Sequence, residues 1–196
     1  MNKAVKGAGK SAGKKSQTQL NGLLIGNRIP RDFFRTKGKG ESNITIHAGS
    51  YHLALKDAGI ETCNVITYSS ILPGIAREIP KPKSLVHGSV METIMAVADS
   101  TKGKRATAGI ITGWLFDKKT GEKFGGLVCE YHGELTVEAV GKQLRESINE
   151  LYQNGFSDRF DLKEIKLVTE SFVPKKKFGT AMVVIGFVNY VYPKIA

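Results

Sequence analysis

Apolar and polar residues follow two periods along this chain, and the changes between them outline its elements. Residues 1–22 carry Lys, Gly and Ser with few apolar side chains, too few to bury a core. They are expected to form a disordered basic tail before a single domain over residues 23–196. Extended segments are expected at residues 23–29 and 32–36, after which Gly38 and Gly40 break the chain into a loop. Tyr51, Ala54, Leu55 and Ala58 share one face of a short helix between an N-cap at Ser50 and a terminator at Gly59, with His52 and Lys56 on another face. Residues 63–68 are β-branched and aromatic and predict a strand that ends at Ser69 and Ser70, before the bend at Pro73 and Gly74.

Pro80 and Pro82 make residues 79–83 a stiff connector. Residues 90–98 are apolar and fit a strand or a helix. Residues 108–116 and 124–131 predict a β-hairpin turning through residues 117–121. A helix is expected from a cap at Thr136 to Gly155, with Val137, Val140, Leu144, Ile148 and Leu151 as its apolar stripe. Strands over residues 164–173 and 180–190 close the chain around a basic loop at 174–177. Strands outnumber helices and each helix needs a sheet to cover, so the pattern predicts an α/β sandwich.

Composition narrows the class. With 196 residues and 41% hydrophobic content, the chain can bury the core of one soluble domain. It has no apolar run long enough to span a bilayer, and its charged start lacks the apolar segment of a secretory leader. A cytoplasmic protein with no membrane partner is expected. Cys63 and Cys129 then read as core thiols rather than a disulfide. The formal charge of +11 suggests nucleic acid. Its basic residues, however, crowd the start (Lys3, Lys6, Lys10, Lys14 and Lys15, then Arg28, Arg31, Arg35, Lys37 and Lys39), with few aromatics among them and no recognisable nucleic-acid module. No specific nucleic-acid partner is expected. His47, His52, His87 and His132 lack metal-ligand spacing, so no metal is expected either.

The candidate chemistry lies where the strand ends. A period of two carried through residues 63–70 puts Asn64, Ile66, Tyr68 and Ser70 on one side, so Asn64 is expected to face the same cavity as Ser70. A serine hydroxyl can attack the carbonyl before it if the backbone bends and a donor stabilises the oxyanion. Taken alone, two serines before a turn also fit an ordinary hydrogen-bonded turn. Glu130 ends an apolar strand, a setting that favours the neutral, proton-donating form of the carboxyl. An ordinary surface glutamate at a strand end fits the same residues.

The run Asn64-Val65-Ile66-Thr67-Tyr68-Ser69-Ser70-Ile71-Leu72-Pro73 resembles the cleavage segment of the pyruvoyl-dependent arginine decarboxylases. The likeness extends through Gly40-Glu41-Ser42, Ala54-Leu55 to Ala58-Gly59-Ile60, His87-Gly88-Ser89-Val90-Met91-Glu92, Gly125-Gly126 to Glu130-Tyr131, and Lys177-Phe178-Gly179 to Gly186-Phe187. The resemblance implies a four-layer αββα sandwich, a homotrimer or dimer of trimers with active sites between subunits, and self-cleavage between Ser69 and Ser70 into residues 1–69 and 70–196. It implies a covalent pyruvoyl cofactor made from Ser70, which forms a Schiff base with L-arginine and yields agmatine and CO2. Glu130 occupies the position of the proton donor. Asn64 is assigned to support of self-cleavage, and His52, Asn64, Ser69 and Ile71 to substrate binding. The implied purpose is polyamine supply or proton consumption in acid.

At His52 the chain departs from the family pattern, which has an aspartate that meets the guanidinium of the substrate. A histidine offers no bidentate acceptor. Glu41, Asp57 and Glu92 are the other carboxylates to consider. Two alternatives stay open: a pyruvoyl decarboxylase shifted to another amino acid, and a noncatalytic homologue that keeps the fold.

Overall fold

The computed structural model describes residues 26–193. The expected tail at residues 1–22 and the start of the expected segment at 23–29 lie outside the described residues. The next stretch is one long strand, β1 (Ile29–Ser42), where two segments and a loop were expected. Gly38 and Gly40 do not break it. A Cβ on Gly38 would stand 2.2 Å from the Ala54 carbonyl oxygen, and one on Gly40 2.3 Å from that of Ser50. Glycine here lets a helix backbone lie directly against the strand. That helix, α1 (His52–Ala58), continues a π-helical turn at Ile46–Tyr51. Ser50 is therefore not its N-cap. It is buried inside the turn, its hydroxyl 2.9 Å from the Thr180 hydroxyl. Gly59 ends α1 as expected, with φ 69°.

The chain continues through β2 (Asn64–Thr67), β3 (Ile71–Pro73), β4 (Arg77–Glu78), β5 (Val90–Thr101), β6 (Ala106–Asp117) and β7 (Lys123–Gly133) to α2 (Val137–Gly155), then β8 (Phe160–Phe172) and β9 (Phe178–Val191). The ambiguous residues 90–98 are thus a strand. β8 starts earlier than the sequence suggests. The strands form a five-stranded sheet in the order β2-β5-β9-β1-β4 and a four-stranded sheet in the order β3-β7-β6-β8. β2 pairs with β5 and β4 with β1 in parallel, and the other pairs are antiparallel.

Three apolar clusters hold these parts together. Ala54, Leu55 and Ala58 of α1 pack with Phe34, Met91, Met182 and Val184 on one face of the first sheet. Phe33, Ile94, Ala96, Val183 and Ile185 of that sheet pack with Ile110, Trp114 and Val128 of the second. Val140, Leu144 and Ile148 of α2 pack with Ile111, Leu115 and Leu127 on the other face of the second sheet. Thr136 caps α2, its hydroxyl accepting the Ala139 N–H at 3.3 Å. Val137 and Leu151 leave the expected stripe and are 39% and 40% exposed. Among the described residues no helix is long and apolar enough to cross a membrane.

Candidate active site

The chain changes sheets between β2 and β3, and the residues that make the change are Tyr68, Ser69 and Ser70. Before the crossing, the Tyr68 N–H donates to the Thr93 carbonyl at 2.6 Å, and the Tyr68 ring lies 5.9 Å from that of Phe187. After it, the Ser70 carbonyl accepts the Val128 N–H at 3.3 Å. Pinned on both sides, the link closes tightly on itself. The Ser69 carbonyl accepts the Ile71 N–H at 3.0 Å, a three-residue turn centred on Ser70.

Glu130 meets this turn from β7. It alternates with Cys129 and Tyr131, which pack toward α2, and shares the strand face of Val128, toward the first sheet. The Ser70 hydroxyl donates to the two Glu130 carboxylate oxygens at 2.6 and 2.8 Å. Burial, and then the charge of Glu130, push the neighbouring Cys129 thiol up. A hydroxyl held on a carboxylate, beside a carbonyl that already accepts an N–H, has the parts for an acyl shift: nucleophile, base and one oxyanion donor.

Of the other candidates, Ser69 and Ile71 flank Ser70 in the turn, whereas Asn64 and His52 stand on β2 and α1. Asn64 donates through its side-chain amide to the Gly88 carbonyl at 2.9 Å, and its backbone N–H bonds the Ser89 carbonyl. The extended run from Asn64 to Tyr68 covers about 13 Å before the chain turns out of the sheet. The two-residue alternation that would align Asn64 with Ser70 ends at the crossing. His52 is exposed on α1, which packs on the face of the first sheet opposite the second sheet. Ser69 is exposed, and Ile71, paired with Leu127, is 70% exposed.

The three other carboxylates differ sharply. Glu41 accepts the Lys175 and Lys176 N–H groups at 2.7 and 3.2 Å, which hold its carboxyl below the ordinary range. Asp57 accepts the Lys39 N–H at 2.9 Å. Glu92 is buried, paired with Arg28 near Tyr68 and Tyr190. Sequence reasoning named Glu92 but missed its partners Arg28, Tyr68 and Tyr190. The cluster's one visible signal is a lone carboxylate in an apolar strand.

The sequence pattern of the pyruvoyl-dependent arginine decarboxylase family (PvlArgDC) matches residues 32–192. The chain belongs to this family. The match encloses Glu130 and the crossing at Tyr68, Ser69 and Ser70. Relatives include the pyruvoyl-dependent arginine decarboxylase AaxB of Chlamydia trachomatis serovar L2, 29% identical over 190 residues that cover 86% of this chain and 95% of the relative. AaxB of Chlamydia abortus is 30% identical over 188 residues, with the same coverage. Pyruvoyl-dependent arginine decarboxylase 1 of Archaeoglobus fulgidus is 32% identical over 132 residues, covering 65% of this chain and 80% of the relative.

Proposed function

We propose that this chain is a self-processing, pyruvoyl-dependent decarboxylase of L-arginine, working in the cytoplasm as trimers of a four-layer αββα sandwich. The observation that carries this reading is the Ser70 hydroxyl on the Glu130 carboxylate, at the bend where the chain changes sheets. A pyruvoyl group made from residue 70 fits there, since the serine is half-buried and already bound to a base.

In maturation Glu130 takes the Ser70 hydroxyl proton as the oxygen attacks the Ser69 carbonyl carbon. The Ile71 N–H stabilises the oxyanion. The C–N bond breaks, leaving an ester and a free amine. Loss of the Ser70 α-proton then expels the Ser69 carboxylate and leaves dehydroalanine, whose imine tautomer takes up water and releases ammonia. The products are residues 1–69 and a chain of residues 70–196 that begins with a pyruvoyl group. When present, that group supplies the electron sink for loss of CO2 from an amino acid. Glu130 delivers the proton to the substrate carbon that loses CO2. Asn64 supports self-cleavage, and His52, Asn64, Ser69 and Ile71 contribute to substrate binding across a subunit boundary.

The test is to incubate the purified protein with a panel of amino acids and follow CO2, with Ser70→Ala as control. Release from L-arginine, absent in the variant, is the expected result. The same panel tests a second reading, favoured by His52 in place of a carboxylate, in which another amino acid is the better substrate.

A further inference from the structure

One carboxylate between the sheets is only half satisfied. Glu92 lies on β5 two residues before Ile94, on the face turned to the second sheet, and is 2% exposed. Arg28 pairs with its Oε1, while Oε2 is buried with no partner among the described residues. The Tyr190 hydroxyl is likewise buried and unpartnered there. The Arg28 guanidinium interacts with the Tyr68 hydroxyl and lies 5.7 Å from the centre of the Tyr190 ring. Tyr68 precedes Ser70 by two residues, and its N–H is held by the carbonyl of Thr93, the residue after Glu92. The cluster therefore adjoins the reacting serine.

Its two ionic partners are unequal. Arg28 is 47% exposed and can move into water at little cost, whereas Glu92 cannot. A buried carboxylate stripped of its partner is strongly unfavourable, so Arg28 can leave only when another cation replaces it. The replacement that fits best is a planar fork of N–H donors, which Arg28 itself presents. A cavity of about 300 Å³, lined in part by Val90 and Met91 of β5 and Phe187 and Tyr190 of β9, lies at the same end of these strands, with neither Glu92 nor Arg28 in its lining. Glu41 and Asp57 already accept backbone N–H groups.

We propose that Glu92 receives the cationic end of the amino-acid substrate, and that Arg28 holds its place in the free chain. The inference rests on the decarboxylase reading and names the side chain that sets its specificity. One guanidinium displaces another, and no covalent bond changes. Neutral and acidic amino acids cannot take the place of Arg28 on Glu92 and are rejected. The Tyr190 hydroxyl gains a partner when the substrate is bound.

The test is calorimetric titration with agmatine, which keeps the guanidinium and has no carboxyl group to lose, into wild-type protein, Glu92→Gln and Arg28→Ala. Cleavage at Ser70 and a thermal melt report whether each variant folds. Glu92→Gln should weaken agmatine binding at least about tenfold, through loss of a charge-assisted pair. Arg28→Ala should melt lower than wild type and gain more from added agmatine. Unchanged affinity in Glu92→Gln overturns the assignment, as does an Arg28→Ala protein that agmatine stabilises no more than wild type. If wild type is cut but its affinity ignores Glu92, only this assignment falls. If wild type stays uncut and binds no agmatine, the decarboxylase reading falls and takes the assignment with it.

Discussion

The Ser70 hydroxyl donates to both carboxylate oxygens of Glu130, at 2.6 and 2.8 Å, although the two residues are sixty apart in the chain. In the proposed reaction a single carboxyl group takes the serine proton during maturation and gives a proton to carbon during turnover. Glu130→Gln separates the two tasks. The amide still accepts a hydrogen bond from Ser70 but exchanges protons poorly. Cleavage is expected to slow without stopping, while arginine turnover falls about 10²- to 10⁴-fold. Gel analysis of the two chains and CO2 release check the two effects separately.

Gly38 touches α1 so closely that any side chain must move the helix backbone. A Cβ would lie 2.2 Å from the Ala54 carbonyl oxygen and 2.6 Å from the Ala58 nitrogen. Gly38→Ala is expected to cost about 1–3 kcal/mol, the range for overpacking. Urea unfolding should show a lower midpoint.

Much of the fold was legible because its strands and α2 carry strong periods. Gly38 and Gly40 misled because a glycine that breaks a strand and one that admits a neighbouring helix look alike in sequence. Ser50 looked like a cap for the same kind of reason: only the structure shows its hydroxyl against Thr180 rather than at a free helix end. Ser70 and Glu130 could be nominated from their neighbours, but contact between them depends on the crossing from β2 to β3, which no local pattern encodes. Asn64 shows the converse limit, since alternation is sound inside β2 and says nothing once the chain leaves it.

Asp32 is buried between Arg77, at 2.5 Å, and Asn189, at 2.8 Å. These bonds, Arg77 first, hold its carboxyl below the usual range. The folded pKa lies below the unfolded value of about 3.9, so the stabilisation is full above that value and is lost as pH falls through the folded pKa. The melting temperature should drop below about pH 4. Asp32→Asn should melt lower at neutral pH and show a shallower acid loss.

Burial raises the Tyr190 hydroxyl to about 12, and it finds no partner among the described residues. Tyr190→Phe removes a buried polar group without breaking a bond. Its melting temperature should equal or exceed that of wild type. A marked drop would mean that the hydroxyl contributes to folding.

Intact mass of the purified protein under denaturing conditions, beside Ser70→Ala, tests the central claim most directly. The account predicts two chains for wild type, residues 1–69 and a pyruvoyl-blocked chain of residues 70–196, with the variant uncut. A single full-length wild-type species, stable on incubation and with an ordinary serine at position 70, would contradict it.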